Sequence, residues 1–164
     1  MAAQEEVESK ELSRARAKAV RLLGPAPLTG RQLTDRLRKR DFAPEVVATV
    51  VAECIDHGWV DDVDYARRWL ERRRAQGYGR RRIHAELTQR GIAEAIATRA
   101  LEEEAPGGEL AAARIAGARK LKSLGTIADD RDRAKLARFL ASRGFDGHIA
   151  RQIVEEAGKA LETE

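Results

Sequence analysis

Read as apolar and polar positions, the chain repeats one helical pattern three times. Val46, Val47, Val50, Val51 and Cys54 fall at i, i+1, i+4, i+5 and i+8, a stripe along one helix face. Ile96, Ala97, Ala100 and Leu101 keep the same spacing, as do Ile149, Ala150, Ile153 and Val154. Alone, the valine-rich first copy would suit a strand, because β-branched residues favour sheets. Alanines at matching positions in the later copies fit only the helical period.

A shorter apolar pair precedes each stripe at i, i+4: Leu33 and Leu37, Ile83 and Leu87, Leu136 and Leu140. Aligned without gaps, the copies are offset by 50 (87 − 37) and 53 (140 − 87) residues. Between second and third helices stand Arg40-Asp41-Phe42, Arg90-Gly91-Ile92 and Arg143-Gly144-Phe145. Glycine there ends a helix in the left-handed conformation at little cost, and aspartate tolerates it at some cost. Pro44, Glu94 and Gly147 open the third helices, where proline is acceptable. First helices are expected over about residues 9–23, 62–75 and 109–123.

The pattern predicts an all-α fold of three tandem three-helix, helix-turn-helix-like repeats forming an elongated, curved array. The repeats are placed at residues 12–60, 61–106 and 107–160, between a flexible acidic N-terminal tail (1–11) and a short tail (161–164). Residues 103–108, "EEAPGG", are the expected hinge between the second and third repeats.

Composition narrows the chemistry. Of 164 residues, 43% are hydrophobic but only 4% aromatic, so the cores are aliphatic. The single cysteine, Cys54, excludes an internal disulfide and points to a reducing compartment; its place on the apolar stripe marks a buried small side chain. The acidic start lacks the apolar centre of a signal peptide, and no run approaches the roughly 18 apolar residues of a membrane span. A soluble, cytoplasmic, monomeric protein is expected, without a membrane partner.

His57, His84 and His148 share no ligand spacing. The Asp61-Asp62-Asp64 and Asp129-Asp130-Asp132 clusters read as helix caps rather than metal sites. Neither phosphate-binding glycine motif is present. Nothing in the sequence calls for an enzyme, a metal or a cofactor.

Charge is where the sequence departs from an ordinary helical protein. The net charge is +4, yet residues 67–82 hold eight arginines against one acid, Glu71, for a local +7. Ordinary solvated faces mix signs, because like charges at i, i+4 repel by up to about 0.5 kcal/mol. The imbalance points to a negative partner. On a helical wheel Tyr65, Ala66, Trp69 and Leu70 gather inward, making the aromatics core rather than base-stacking residues. Arg67 and Arg74 lie opposite, Arg68 and Arg72 flank the stripe, and Arg81 and Arg82 point outward from the next helix. With Arg119, Lys120 and Lys122, from a smaller basic group that also holds Arg114, these form the candidate partner-binding set. Arg73 alone falls inside the apolar stripe, where it either snorkels or pairs with a carboxylate of a neighbouring helix.

Residues 59–92, "WVDDVDYARRWLERRRAQGYGRRRIHAELTQRGI", resemble the signature region of the RecX family of bacterial recombination regulators. The family pattern corresponds to Asp61, Asp62, Tyr65 and Ala66, then Gly79, Arg82, Ile83, Glu86 and Leu87, then Gly91 and Ile92. The resemblance implies a non-enzymatic protein that lies in the groove of the RecA filament on DNA. There it would limit filament growth or favour disassembly, lowering ATP hydrolysis, strand exchange and co-protease activity. It does not itself assign the contact to any arginine; that assignment rests on charge. Two other readings compete: a helix-turn-helix-like DNA-binding protein acting through phosphates, and a structural scaffold, which leaves the +7 segment unmotivated.

Overall fold

A computed structural model describes residues 2–124 and 129–161, with the side chains of 2–5, 124, 160 and 161 left undescribed. Among the described residues there are nine α-helices and no strand. They are α1 (Ala2–Leu23), α2 (Gly30–Arg38), α3 (Pro44–Asp56), α4 (Asp62–Ala75), α5 (Arg80–Gln89), α6 (Glu94–Glu102), α7 (Gly108–Leu124), α8 (Asp130–Ser142) and α9 (Gly147–Leu161). The chain is all-α, in three-helix triplets, as the periodicity predicts.

The first helix begins at Ala2, where sequence placed a flexible tail through residue 11. Acidic residues in its first turns suit the helix dipole, and Lys10 pairs with Glu6 at i, i+4. Glu11 also has a structural partner: its carboxylate accepts the Ala43 amide at 2.8 Å, just ahead of α3, whose N-cap has no capping side chain.

Each second helix ends in the turn expected of it. Gly91 and Gly144 have φ of 84° and 86°, and Asp41 adopts the same left-handed region at 60°. The apolar pairs of the second helices are fully buried: Leu33, Leu37, Ile83, Leu87, Leu136 and Leu140 are all 0% exposed.

The chain folds as two compact units, Met1–Ala66 with Thr88–Ile96, and Arg67–Leu87 with Ala97–Glu164. In the first, Ala15 and Ala19 of α1 share a core with Leu33 and Leu37 of α2 and the stripe of α3, including Cys54 at 2% exposure. In the second, Ala112, Ala113 and Ala116 of α7 meet Leu136 and Leu140 of α8, Phe145, and Ile149 and Ile153 of α9. The alanines let α7 approach its partners closely, which explains how so few aromatics fill these cores.

The middle triplet contributes to both units, and in each unit it makes the same kind of junction. In the first, the Gly30 amide at the start of α2 donates to the Asp62 carboxylate (2.9 Å), and Thr29 Oγ1 donates to the Arg90 carbonyl (2.7 Å). In the second, the Arg80 amide at the start of α5 donates to the Glu109 carboxylate (2.8 Å). There the Gly79 and Arg81 amides donate to the carbonyls of Arg143 (2.9 Å) and Gly144 (3.1 Å). Each time, an acid from the following triplet's first helix caps the exposed amides of a second helix, and the following Arg-Gly turn closes beside it. The contact is too close for side chains. A Cβ at Gly91 would lie 2.3 Å from Arg31 Cδ, and one at Gly79 would lie 2.3 Å from the Gly144 carbonyl carbon.

Candidate partner-binding surface

The basic segment begins at α4, whose start is fixed by Asp61. Its Oδ1 accepts the amides of Val63 and Asp64, both at 2.9 Å. Asp61 therefore caps, as the sequence proposed for this cluster, and Asp129 does the same for α8 through the Asp132 amide (2.9 Å). Ala66 and Leu70 are buried, while Tyr65 and Trp69 are only half-buried. Both aromatics use their polar ends: the Tyr65 hydroxyl accepts from Arg90 (3.0 Å), and Trp69 Nε1 donates to Glu86 (3.1 Å).

Arg73 takes the second of its two expected outcomes. Its Nε donates to Glu86 Oε2 at 2.7 Å, and a further guanidinium nitrogen reaches Oε1, a two-point pair between α4 and α5. The guanidinium also lies over the Tyr78 ring, 3.8 Å from its centroid. Burial alone would raise the Glu86 carboxyl; hydrogen bonds from Arg73, Arg82 and Trp69 outweigh it and hold the group below its ordinary value. Burial likewise works against the Arg73 charge, and Glu86 more than offsets it.

Arg74 corrects the wheel. Expected to point outward, it is 9% exposed and spans both sides of the Ala105-Pro106-Gly107 connection. It contacts Glu104 before the connection (2.7 and 2.6 Å), Glu109 after it (3.7 Å), and the Tyr78 carbonyl (3.0 Å). A helical wheel assumes one buried face, and α4 has a second one where these two acids converge. The stretch expected as a hinge thus has its two ends held by one guanidinium.

The rest of the candidate set divides. Arg67, Arg68, Arg72 and Arg81 are exposed. Among the described residues, Arg67 and Arg81 have no carboxylate partner, and Arg72 lies over the Trp69 ring at 5.9 Å. Arg82 is half spent, pairing with Glu86 at 2.9 Å with its side chain 49% exposed. On α7, Arg119 donates to the Gln76 carbonyl (3.1 Å), Lys120 is half-buried over Phe139, and Lys122 is exposed.

Sequence reasoning missed Arg143. Its guanidinium donates to the carbonyls of Gln76 (3.0 Å) and Gly77 (3.2 Å) and covers the Tyr78 ring at 4.7 Å. The signal was its alignment with Arg40 and Arg90 in the turn of each repeat.

Comparison with known proteins fits this architecture. Three family models match in chain order: the first three-helix domain of RecX over residues 15–54, the second over 61–101 and the third over 108–154. The chain belongs to the RecX family. A "Regulatory protein RecX" from Chromohalobacter salexigens is 37% identical over 139 residues, covering 85% of this chain and 90% of that relative. One from Thermobifida fusca is 39% identical over 146 residues, covering 88% and 78%. The crystal structure of RecX from Lactobacillus salivarius shares the fold, with a TM-score of 0.83 at 19% identity over 92% of this chain and 98% of that one.

Set beside the geometry, the RecX signature residues prove largely architectural. Asp62 and Gly79 form the triplet junctions, Asp61 caps α4, Glu86 neutralises Arg73, and Ile83 and Leu87 are core. The exposed basic residues of α4 and α5 lie mostly between the signature positions. Arg67, Arg68, Arg72 and Arg81 are such residues. No helix among the described residues is long and apolar enough to cross a membrane.

Proposed function

We propose that this chain is a non-enzymatic, cytoplasmic, monomeric regulator of homologous recombination that binds the RecA filament on DNA. It lies in the filament groove and lowers RecA ATP hydrolysis, strand exchange and co-protease activity by limiting growth or promoting disassembly. Membership of a family whose relatives are named regulatory proteins supports the regulatory role. The observation that carries the docking surface is the set of exposed arginines on α4 and α5 beside a fully neutralised Arg73 and Arg74. Arg67 and Arg81 are exposed and have no carboxylate partner among the described residues, which favours a polyanionic partner surface over a structural role.

The domain boundaries at residues 12–60, 61–106 and 107–160 belong to the same proposal. Lys122 and Arg119 extend the surface onto α7. The test is ATP hydrolysis by preassembled RecA filaments on single-stranded DNA, measured with added protein. Inhibition below one molecule per RecA protomer supports the proposal, and unchanged hydrolysis at stoichiometric doses rejects it.

Direct DNA binding through the same arginines is the second reading, favoured by their number and by the lack of a carboxylate partner for Arg67 and Arg81 among the described residues. It predicts log K falling with log salt by about 0.9 per phosphate neutralised on duplex DNA.

A further inference from the structure

The junction that recurs in the first two triplets has a counterpart position on the third, at the start of α8. With the 53-residue offset, Ala134, Ala137 and Ala141 of α8 correspond to Arg81, His84 and Thr88 of α5. With the 50-residue offset those correspond to Arg31, Thr34 and Arg38 of α2. The next Arg-Gly turn closes against Arg31 itself on α2, and on α5 against Arg82, the neighbour of Arg81. On α8 it is paved with alanine.

Between α8 and α9 lies a groove with a volume of about 530 Å³. Its apolar floor comes from Ala134 and Ala137 on one side and Ala150 and Val154 on the other. Its edges carry Arg133, Arg138 and Arg151 against a single acid, Glu155. Arg133 has only a loose contact with Asp130 at 3.8 Å, and among the described residues Arg138 and Arg151 have no carboxylate partner.

We infer that this groove docks an acidic amphipathic helix of a partner protein, its small apolar face on the alanine floor and its carboxylates on Arg138 and Arg151. The size and open form suit helix-in-groove recognition, in which side chains at i, i+3 and i+4 enter an apolar channel. The arginine rim sets the sign of the partner.

A second copy of the chain is disfavoured by its own chemistry. Head-to-tail continuation would bring the Arg40-Asp41 turn onto α8, but Asp41 carries a Cβ where Gly91 and Gly144 leave no space for one. The acid that a following triplet would supply is also already present. The α8 helix starts at Asp130, before Arg133, the counterpart of Arg80, and Asp129 caps it. The third triplet thus closes its own amide end and leaves only the groove.

The probe is a fluorescein-labelled helical peptide with glutamates along one face and alanine and leucine along the other, titrated into the full chain by anisotropy. A control peptide has lysine at every glutamate. Saturable binding of the acidic peptide is expected, with at least tenfold weaker binding of the lysine peptide. Ala137→Trp fills the groove, and the pair Arg138→Glu and Arg151→Glu reverses its rim. Each is expected to weaken binding at least tenfold, with helicity by circular dichroism unchanged. Because all three sites are exposed or half-buried, retained helicity separates lost docking from lost folding. No saturable binding, equal binding of both peptides, or full binding by Ala137→Trp would overturn the inference. So would wild-type dimers in sedimentation that dissolve on Ala137→Trp, because the groove would then hold a second copy.

Discussion

The amide of Gly79 donates to the carbonyl of Arg143 at 2.9 Å, in a contact that leaves no space for a side chain on the glycine. Gly79→Ala would place its methyl 2.3 Å from the Gly144 backbone, which cannot swing aside as a flexible side chain would. The expected loss is about 1–3 kcal/mol, typical of overpacking. Gly58 provides the contrast: at φ 68° with nothing within 4 Å, its alanine variant should cost only about 1 kcal/mol of backbone strain. Urea unfolding of both variants checks the difference.

Arg74→Ala should destabilise the fold by roughly 3 kcal/mol, because it leaves Glu104 and Glu109, at 17% and 19% exposure, without their shared cation. Arg72→Ala, on an exposed side chain, should change stability by less than about 0.5 kcal/mol. Thermal melts should therefore separate two arginines only two positions apart.

Leu87→Ala should cost about 2–5 kcal/mol, since the side chain is 0% exposed and its removal leaves a cavity. Chemical denaturation reads this directly, and a loss below about 1 kcal/mol would mean that the site collapses around the smaller residue.

Stability should fall in acid through Glu86. Its folded-state carboxyl titrates below the ordinary 4.5, so its contribution is present above that value and is lost as pH drops through the lower folded value. Glu86→Gln should be less stable than the parent at pH 7, with the gap narrowing as pH falls below about 4.5. A gap independent of pH would contradict the Arg73–Glu86 assignment.

The helices and their repeat were legible in the sequence because burial on one face imposes the 3.6-residue period on Leu33 and Leu37 as on Ile83 and Leu87. The exposed positions of Arg67, Arg72 and Arg81 were legible for the same reason. Arg74 was not, because its burial depends on Glu104 and Glu109 converging from across a loop, which no local periodicity encodes. Arg73 was legible only as a conflict between charge and stripe, and Glu86 resolves it. The alanine floor of α8 is visible in the aligned repeats, where Ala134, Ala137 and Ala141 stand at the positions of Arg81, His84 and Thr88.

Docking on RecA filaments is proposed to run through Arg67, Arg72 and Arg81, exposed on α4 and α5. The most direct measurement compares the parent with the triple variant Arg67→Glu, Arg72→Glu and Arg81→Glu for inhibition of ATP hydrolysis by preassembled RecA filaments. The variant should fold, since all three side chains are exposed and an acid in the first turn of α5 suits the helix dipole. Loss of inhibition at doses where the parent inhibits fully, with unchanged helicity, is the predicted result. Undiminished inhibition by the folded variant would contradict it.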